Sequence, residues 1–287
     1  MVNENNICIS LNDFESQAIF VTLKQDYKKN LFTNAIIKAG SQGKLSTILK
    51  IDGNYPKMKQ STVSFLLKKR TLRLDLVYFL CNYVNIKFDK SQIIGIKGVK
   101  TSQMIYEPKV DIILTSELAQ ILANLYCDGT IVETNCYTAT YYNGYKELII
   151  RFKDNVIRTF GKIDLYEWKT NVNAINLPAF IGKLLCQKFN LNEDRIPTSI
   201  INSSKEIKSA YLQAVFDDEG SVHSTHGQIR IKMKPKTYIE DLQKLVQEFD
   251  IETSQVIKEH DKRIVHQHLV NLKKQNFVDY TKLKRKF

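Results

Sequence analysis

The chain has 287 residues, 43% hydrophobic and 25% charged, which is long enough for two or more units with real cores and matches an ordinary soluble protein. No apolar run approaches the ~20 residues that cross a bilayer, the N-terminus MVNENNICIS lacks the regions of a secretory leader, and the scattered cysteines (Cys8, Cys81, Cys127, Cys136, Cys186) hold no CxxC pair, so an intracellular location (cytoplasm or nucleoid) is expected and zinc is not. The net charge of +12 fits a polyanion binder, the alternative being generic solubilising charge, and residues 1–100 carry most of it, with 16 basic against 7 acidic residues.

In chain order, Asn12 or Asp13 is placed to cap a helix through FESQAIFVTLKQDY, and LFTNAIIKAG keeps helical spacing until Gly40 stops it. KLSTILKI (Lys44 to Ile51) predicts a short amphipathic helix. After DGNYPKMKQ, STVSFLLKKR (Ser61 to Arg70) predicts another, capped by Ser61, and LRLDLVYFLCNYV (Leu72 to Val84) reads as a core helix. This succession resembles a helix-turn-helix domain of the repressor type. The resemblance implies that Ser61, Thr62 and Ser64 reach base edges and that Lys68, Lys69 and Arg70 meet phosphate. The link DGNYPKMKQ is longer than the usual turn, and a basic helical bundle that only neutralises backbone or docks a partner is the alternative. Residues 86–110 read as a strand-bearing linker.

Next comes ILANLYCDG (Ile121 to Gly129), which returns as LQAVFDDEG (Leu212 to Gly220). Each copy is an apolar helical run with alanine third (Ala123, Ala214) and an acid before a final glycine (Asp128-Gly129, Glu219-Gly220), and the acids stand 91 residues apart. The small alanines permit close helix approach, and the glycines are placed to cap the helices with positive φ. A carboxylate at a helix C-terminus gains nothing from the dipole, and two side by side repel. A divalent cation would offset both costs.

Between and after the copies the period changes. TIVETNCYTATYY, Asn143-Gly144 and YKELIIRFK predict a hairpin turning at Asn143-Gly144, with Leu148 and Ile150 on one face and Ile149, Arg151 and Lys153 on the other. A short amphipathic piece (Asn155 to Lys162), extended YEWKTNVNAIN and the helix PAFIGKLLCQKF, started by Pro178, complete the first half. EGSVHSTHGQIRIKMK predicts a second hairpin in which Gln228, Arg230, Lys232 and Lys234 share one face. Such a cationic ribbon suits a DNA major groove, an ordinary solvated sheet face being the alternative. The helix TYIEDLQKLVQEF, strands around TSQVIKE and RIVHQHLV, and a short tail follow. His223 and His226 are too sparse for a metal site; His260, His266 and His268 read as surface or strand residues and Trp168 as core.

ILANLYCDG and LQAVFDDEG, with KVDIILTSELA and DRIPTSIINSSKEIKSAY before them, resemble the paired signature of the LAGLIDADG homing endonucleases in their single-chain, two-motif form. The resemblance implies an α+β fold: two αββαββα repeats (105–195 and 196–287) with a saddle of antiparallel sheets, preceded by a helical unit (1–104). It also implies site-specific cleavage of double-stranded DNA by a monomer with internal pseudo-twofold symmetry. Asp128 and Glu219 would be the catalytic, Mg²⁺-holding acids (Mn²⁺ as substitute), and Ala123, Ala214, Gly129 and Gly220 would form the helix interface. Lys153, Lys232, Lys284 and Lys286 are candidates for a solvent network, and Asp218 stands where the family often has Ala or Gly. An inactive DNA-binding regulator and an RNA maturase are the alternatives on this scaffold. A splicing element, which would begin with Cys or Ser and end in His-Asn, is not expected from MVNEN and KRKF.

Overall fold

In the computed structural model, residues 7–14, 18–99, 103–132, 138–169, 173–223, 228–261 and 264–272 are described. Cys136, His226, Lys284 and Lys286 lie outside them, as do the side chains of Trp168, His223, Gln228, His260, His266 and His268. Among the described residues no helix is long and apolar enough to cross a membrane.

The N-terminal part opens with β1 (Ile7–Ile9) and β2 (Ile19–Leu23), then α1 (Gln25–Ala39), α2 (Gln42–Ile51), α3 (Gln60–Lys68), β3 (Leu72–Arg73), α4 (Leu74–Tyr83) and β4 (Ile93–Gly98). The helix expected through FESQAIFVTLKQDY is replaced by β2 and the start of α1. IFVTL is rich in β-branched and aromatic residues, and it pairs with β3 on one side and β4 on the other. Its Ile19, Val21 and Leu23 are buried. Gly40 ends α1 in the left-handed region at φ 85°. The N-cap of α3 is Lys59 rather than Ser61, and Thr62 Oγ1 accepts from the Lys59 backbone N–H at 3.2 Å.

Two short strands, β5 (Ile105–Tyr106) and β6 (Ile112–Ile113), lead into the first repeat: α5 (Ser116–Cys127), β7 (Gly129–Val132), β8 (Thr138–Asn143), α6 (Lys146–Phe160), β9 (Lys162–Ile163), β10 (Tyr166–Lys169), β11 (Asn173–Leu177) and α7 (Ala179–Phe189). The second repeat follows: α8 (Thr198–Ile201), α9 (Lys205–Glu219), β12 (Gly220–His223), β13 (Gln228–Met233), α10 (Lys236–Gln247), β14 (Ile257–Asp261) and β15 (Ile264–Leu272). The sheets run β10-β11-β8-β7 and β14-β15-β13-β12, the same order twice, with antiparallel pairing throughout. A further sheet, β3-β2-β4-β5-β9, is shared between the N-terminal part and the strand after α6. The fold is α+β, as the signature implies.

The hairpin expected to turn at Asn143-Gly144 does not form there. The strands are β7 and β8, and YKELIIRFK is the start of α6. Asn143 Oδ1 accepts from the Tyr145 N–H at 2.9 Å, a side-chain turn that ends the strand and admits the helix. From there Ile149, Phe152, Val156 and Phe160 are buried at helical spacing. Arg151 and Lys153 therefore sit on a helix and not on a sheet face.

Candidate active site

Helices α5 and α9 are each started by a side-chain cap, Thr115 on Leu118 N–H and Ser204 on Ile207 N–H. They pack along each other with Ala123 and Ala214 fully buried, the small residues letting the backbones close in. Gln120 Nε2 donates to Gln213 Oε1 across the pair at 3.0 Å, and Asn155 of α6 donates to Gln120 Oε1 at 2.7 Å.

Gly129 and Gly220 are required for a reason other than positive φ, since neither adopts it. A Cβ on Gly129 would lie 2.2 Å from Leu125 O, and one on Gly220 would lie 2.3 Å from Phe216 O. Each glycine lets its strand leave the helix against the last turn without a clash.

Asp128 and Glu219 end these helices, each directly before the first strand of its sheet. Asn143 Nδ2 donates to Asp128 Oδ2 at 3.0 Å and also approaches Asp218 Oδ1 at 3.2 Å. Asp218 further accepts from Asn124 Nδ2 and from Tyr141 Oη, both at 2.7 Å. The acid that stands where Ala or Gly is common thus has donors from α5 and β8 waiting for it. Glu219 has no hydrogen-bond partner among the described residues.

Burial pushes the carboxyls up. Asp218 is raised to about 7, chiefly by burial, with hydrogen bonds from Asn124 and Tyr141 opposing and the charges of Asp128 and Asp217 adding. Glu219 is raised to about 7 by burial and by Asp128 and Asp218. Asp128 is raised by burial against the Asn143 hydrogen bond. Burial and these three acids hold the Cys127 thiol well above its usual range.

Glu219 opens into a cleft of about 440 Å³ whose walls include Cys127, Asp194 and Lys232. Lys232 belongs to a regular alternation on β13: Ile229, Ile231 and Met233 are buried, while Arg230 and Lys232 are partly exposed and Lys234 is exposed on the other face. Arg151 and Lys153 are elsewhere. Arg151 Nη2 lies 2.7 Å from Asp217 Oδ2, joining α6 to α9, and Lys153 Nζ lies 2.6 Å from Glu167 Oε1.

Ser61 and Lys68 of α3, and Arg70 just after it, are exposed, Thr62 bonds the Lys59 N–H, and Ser64 Oγ donates to Gln42 Oε1 at 2.9 Å, tying α3 to α2. Lys69 is partly buried, its ammonium 5.4 Å from the Phe20 ring centre. Phe65, 59% exposed, shares the outer face of α3 with Ser61 and Lys68.

Asn124, Tyr141 and Asn143, which bond the acids, are not among the site residues expected from the sequence. An asparagine inside the apolar run ILANLYCDG was the signal for the first. Asn143 was masked by its glycine neighbour, which made it look like a turn residue.

Residues 206–283 match the family model described as the LAGLIDADG-like domain. The likeness to that family thus lies in residues 206–283. Among solved structures, I-DmoI in complex with DNA and Mn is similar at 13% identity and a TM-score of 0.44, covering 57% of this chain and 93% of that one. Full-length DUF199/WhiA from Thermatoga maritima is similar at 8% identity and a TM-score of 0.40, covering 57% and 53%. At these identities the likeness concerns the fold alone. A curated relative, a glutamine–fructose-6-phosphate aminotransferase (isomerizing) of Methanocaldococcus jannaschii, is 24% identical over 181 residues. That alignment spans 60% of this chain and only 16% of the relative's length.

Proposed function

We propose that the chain is a divalent-metal-dependent, site-specific endonuclease of double-stranded DNA, working as a monomer built of a helical unit (1–104) and two repeats (105–195 and 196–287). The observation that carries this reading is the pairing of Asp128 and Glu219 at repeat-related ends of two packed helices, with the charge of Asp128 adding to the burial that raises Glu219. Two carboxylates that resist ionising together are what a bound cation relieves. Among the described residues no cluster of three or more His, Cys, Asp or Glu is arranged to hold a metal ion. Two carboxylates with phosphate and water as the other ligands suit Mg²⁺, with Mn²⁺ as substitute, better than a cage made wholly of protein.

When bound, such a cation polarises a phosphoryl oxygen and supplies hydroxide. The chain does the rest. Asn143 holds Asp128 Oδ2, and Asp128 and Glu219 are the residues that would hold the cation. Lys232, in the cleft beside Glu219, is placed to order water and steady the leaving oxygen. Gln228, Arg230, Lys232 and Lys234 line the major groove. Ser61, Thr62, Ser64, Lys68, Lys69 and Arg70 belong to a second contact, the helix-turn-helix-like one. Of these, Ser61, Lys68 and Arg70 are the side chains with freedom to meet DNA.

Mn²⁺ binding followed by electron paramagnetic resonance tests the centre. The wild type should bind, and Asp128→Asn and Glu219→Gln should each lose most of the binding. Equal binding in all three would remove the metal centre. The appended helices and Asp218 favour a second reading, a regulator that binds DNA without cutting it, with RNA maturation as a variant of it. It gains if duplex binding survives both substitutions and no cut is ever made.

A further inference from the structure

With Arg151 and Lys153 on α6, the two sheets present unequal faces. In the strand pairing Gly129 stands opposite Tyr141 and Gly220 opposite Ile231. Aligned on those pairs, Thr138, Thr140 and Tyr142 of β8 occupy the places of Gln228, Arg230 and Lys232 on β13. One hairpin carries a row of cations and its counterpart carries hydroxyls. Thr140 spends its hydroxyl inside the sheet, donating to Asn176 Oδ1 at 2.5 Å. A duplex lying over both hairpins would find neutralising charge, among the described residues of β8 and β13, on one of them only.

The unit joined to the uncharged half is the basic one. From Lys44 to Arg73 the sequence holds eight Lys or Arg and a single acid, Asp52. Lys50, Lys57, Lys59, Lys68 and Arg70 are exposed, and none forms an ion pair among the described residues. The sheet of this unit runs through β4 and β5 into β9, directly after α6. Phe14 meets the Phe180 ring of α7 at 6.2 Å, and Lys188 of α7 lies 2.8 Å from Asp13. The basic helices and the first repeat are therefore one continuous packed body.

We propose that α2 and α3 supply the DNA-backbone grip that β8 of the first repeat lacks. One half of the duplex is then held by the cationic ribbon of β13 and the other by the appended helices. This rests on the DNA-binding reading above. It accounts for a charge placed in the N-terminal third and missing from β8, which a merely solubilising role does not.

The test is the salt dependence of binding of the full chain to a labelled random-sequence duplex, by fluorescence anisotropy. Each phosphate contact contributes about 0.9 to the slope of log K against log salt. The triple variant Lys59→Gln, Lys68→Gln, Arg70→Gln should lower the slope by about 2 to 3. Adding Thr138→Lys and Tyr142→Lys to that triple should restore most of the slope, because it moves the missing charge to the sheet. A separate triple, Arg230→Gln, Lys232→Gln, Lys234→Gln, should lower the slope independently of the first. The inference is overturned if the first triple keeps the wild-type slope, or if the added lysines leave the triple's slope unchanged. A wild type that binds the duplex without salt dependence overturns the DNA reading itself, a different outcome from either.

Discussion

Asn143 and Asp128 are joined at 3.0 Å, and the geometry of the asparagine is fixed from behind. Its Oδ1 accepts from the Tyr145 N–H, so its Nδ2 must face the acids. One amide thereby starts α6 and orients the Asp128 carboxylate. It also touches Asp218, delivered by the other repeat.

Replacing Asn143 with leucine should therefore loosen Asp128. Supporting residues of this kind are worth about 10- to 100-fold in metal affinity or activity. We expect that loss in Mn²⁺ affinity for Asn143→Leu, with Asn143→Gln no better, because the longer amide cannot serve both partners. An unchanged affinity in the leucine variant would remove Asn143 from the centre.

The raised carboxyls make a pH prediction. Asp218 and Glu219 hold protons up to about 7, against about 4 in an unfolded chain. A group that binds protons more tightly when folded adds stability below its unfolded value and loses it as pH rises through its folded value. Without metal, the contribution of these acids to thermal stability should fall between about pH 4 and pH 7 and level off above that. Mg²⁺ binds the ionised form, so its stabilising effect should grow over the same range. Calorimetry with chelator or Mg²⁺ checks both trends, and Glu219→Gln should flatten them. A Mg²⁺ effect that shrinks as pH rises would contradict the assignment.

Asp218 is an inter-repeat tie as well as an acid. Asp218→Ala would strand donors from Asn124, Tyr141 and Asn143, at about 1 to 3 kcal/mol for an unsatisfied buried group. Urea unfolding should show a loss of at least about 2 kcal/mol, while Tyr141→Phe, which removes one donor, costs about 1 kcal/mol. A loss in the alanine variant no larger than that of Tyr141→Phe would deny Asp218 this role.

Arg151 separates the sequence-based expectation from the structure. Its partner Asp217 has a side chain only 5% exposed, and a buried carboxylate deprived of a partner is costly. Arg151→Gln should lower stability by about 2 kcal/mol and leave the salt slope of DNA binding at its wild-type value. A fall in that slope with no loss of stability would return Arg151 to the DNA surface.

The motif helices were legible because everything informative about them is local: an apolar run, an alanine, an acid and a glycine, written twice. The ribbon of β13 was legible for the same reason, since Ile229, Ile231 and Met233 alternate with charge. The sequence reading lost α6 to a competition between two local signals. Asn143-Gly144 and a few residues of apparent alternation outweigh Ile149, Phe152, Val156 and Phe160, whose spacing becomes meaningful only over about three turns. Strand β2 was hidden because IFVTL is a short apolar run, which fits a buried strand or a helix equally well until its partners β3 and β4 are known. The need for glycine at positions 129 and 220 was foreseen, but its cause was not. Contact with the preceding helical turn depends on three-dimensional packing.

The most direct test of the central claim is cleavage of a randomised plasmid library in Mg²⁺ or Mn²⁺ by the wild type, Asp128→Asn and Glu219→Gln. Discrete double-strand breaks are expected from the wild type and none from either variant, with binding but no scission in Ca²⁺. Breaks that persist in either variant would contradict the two-acid centre. Duplex binding without any cut in Mg²⁺ would contradict the endonuclease and leave a DNA-binding regulator in its place.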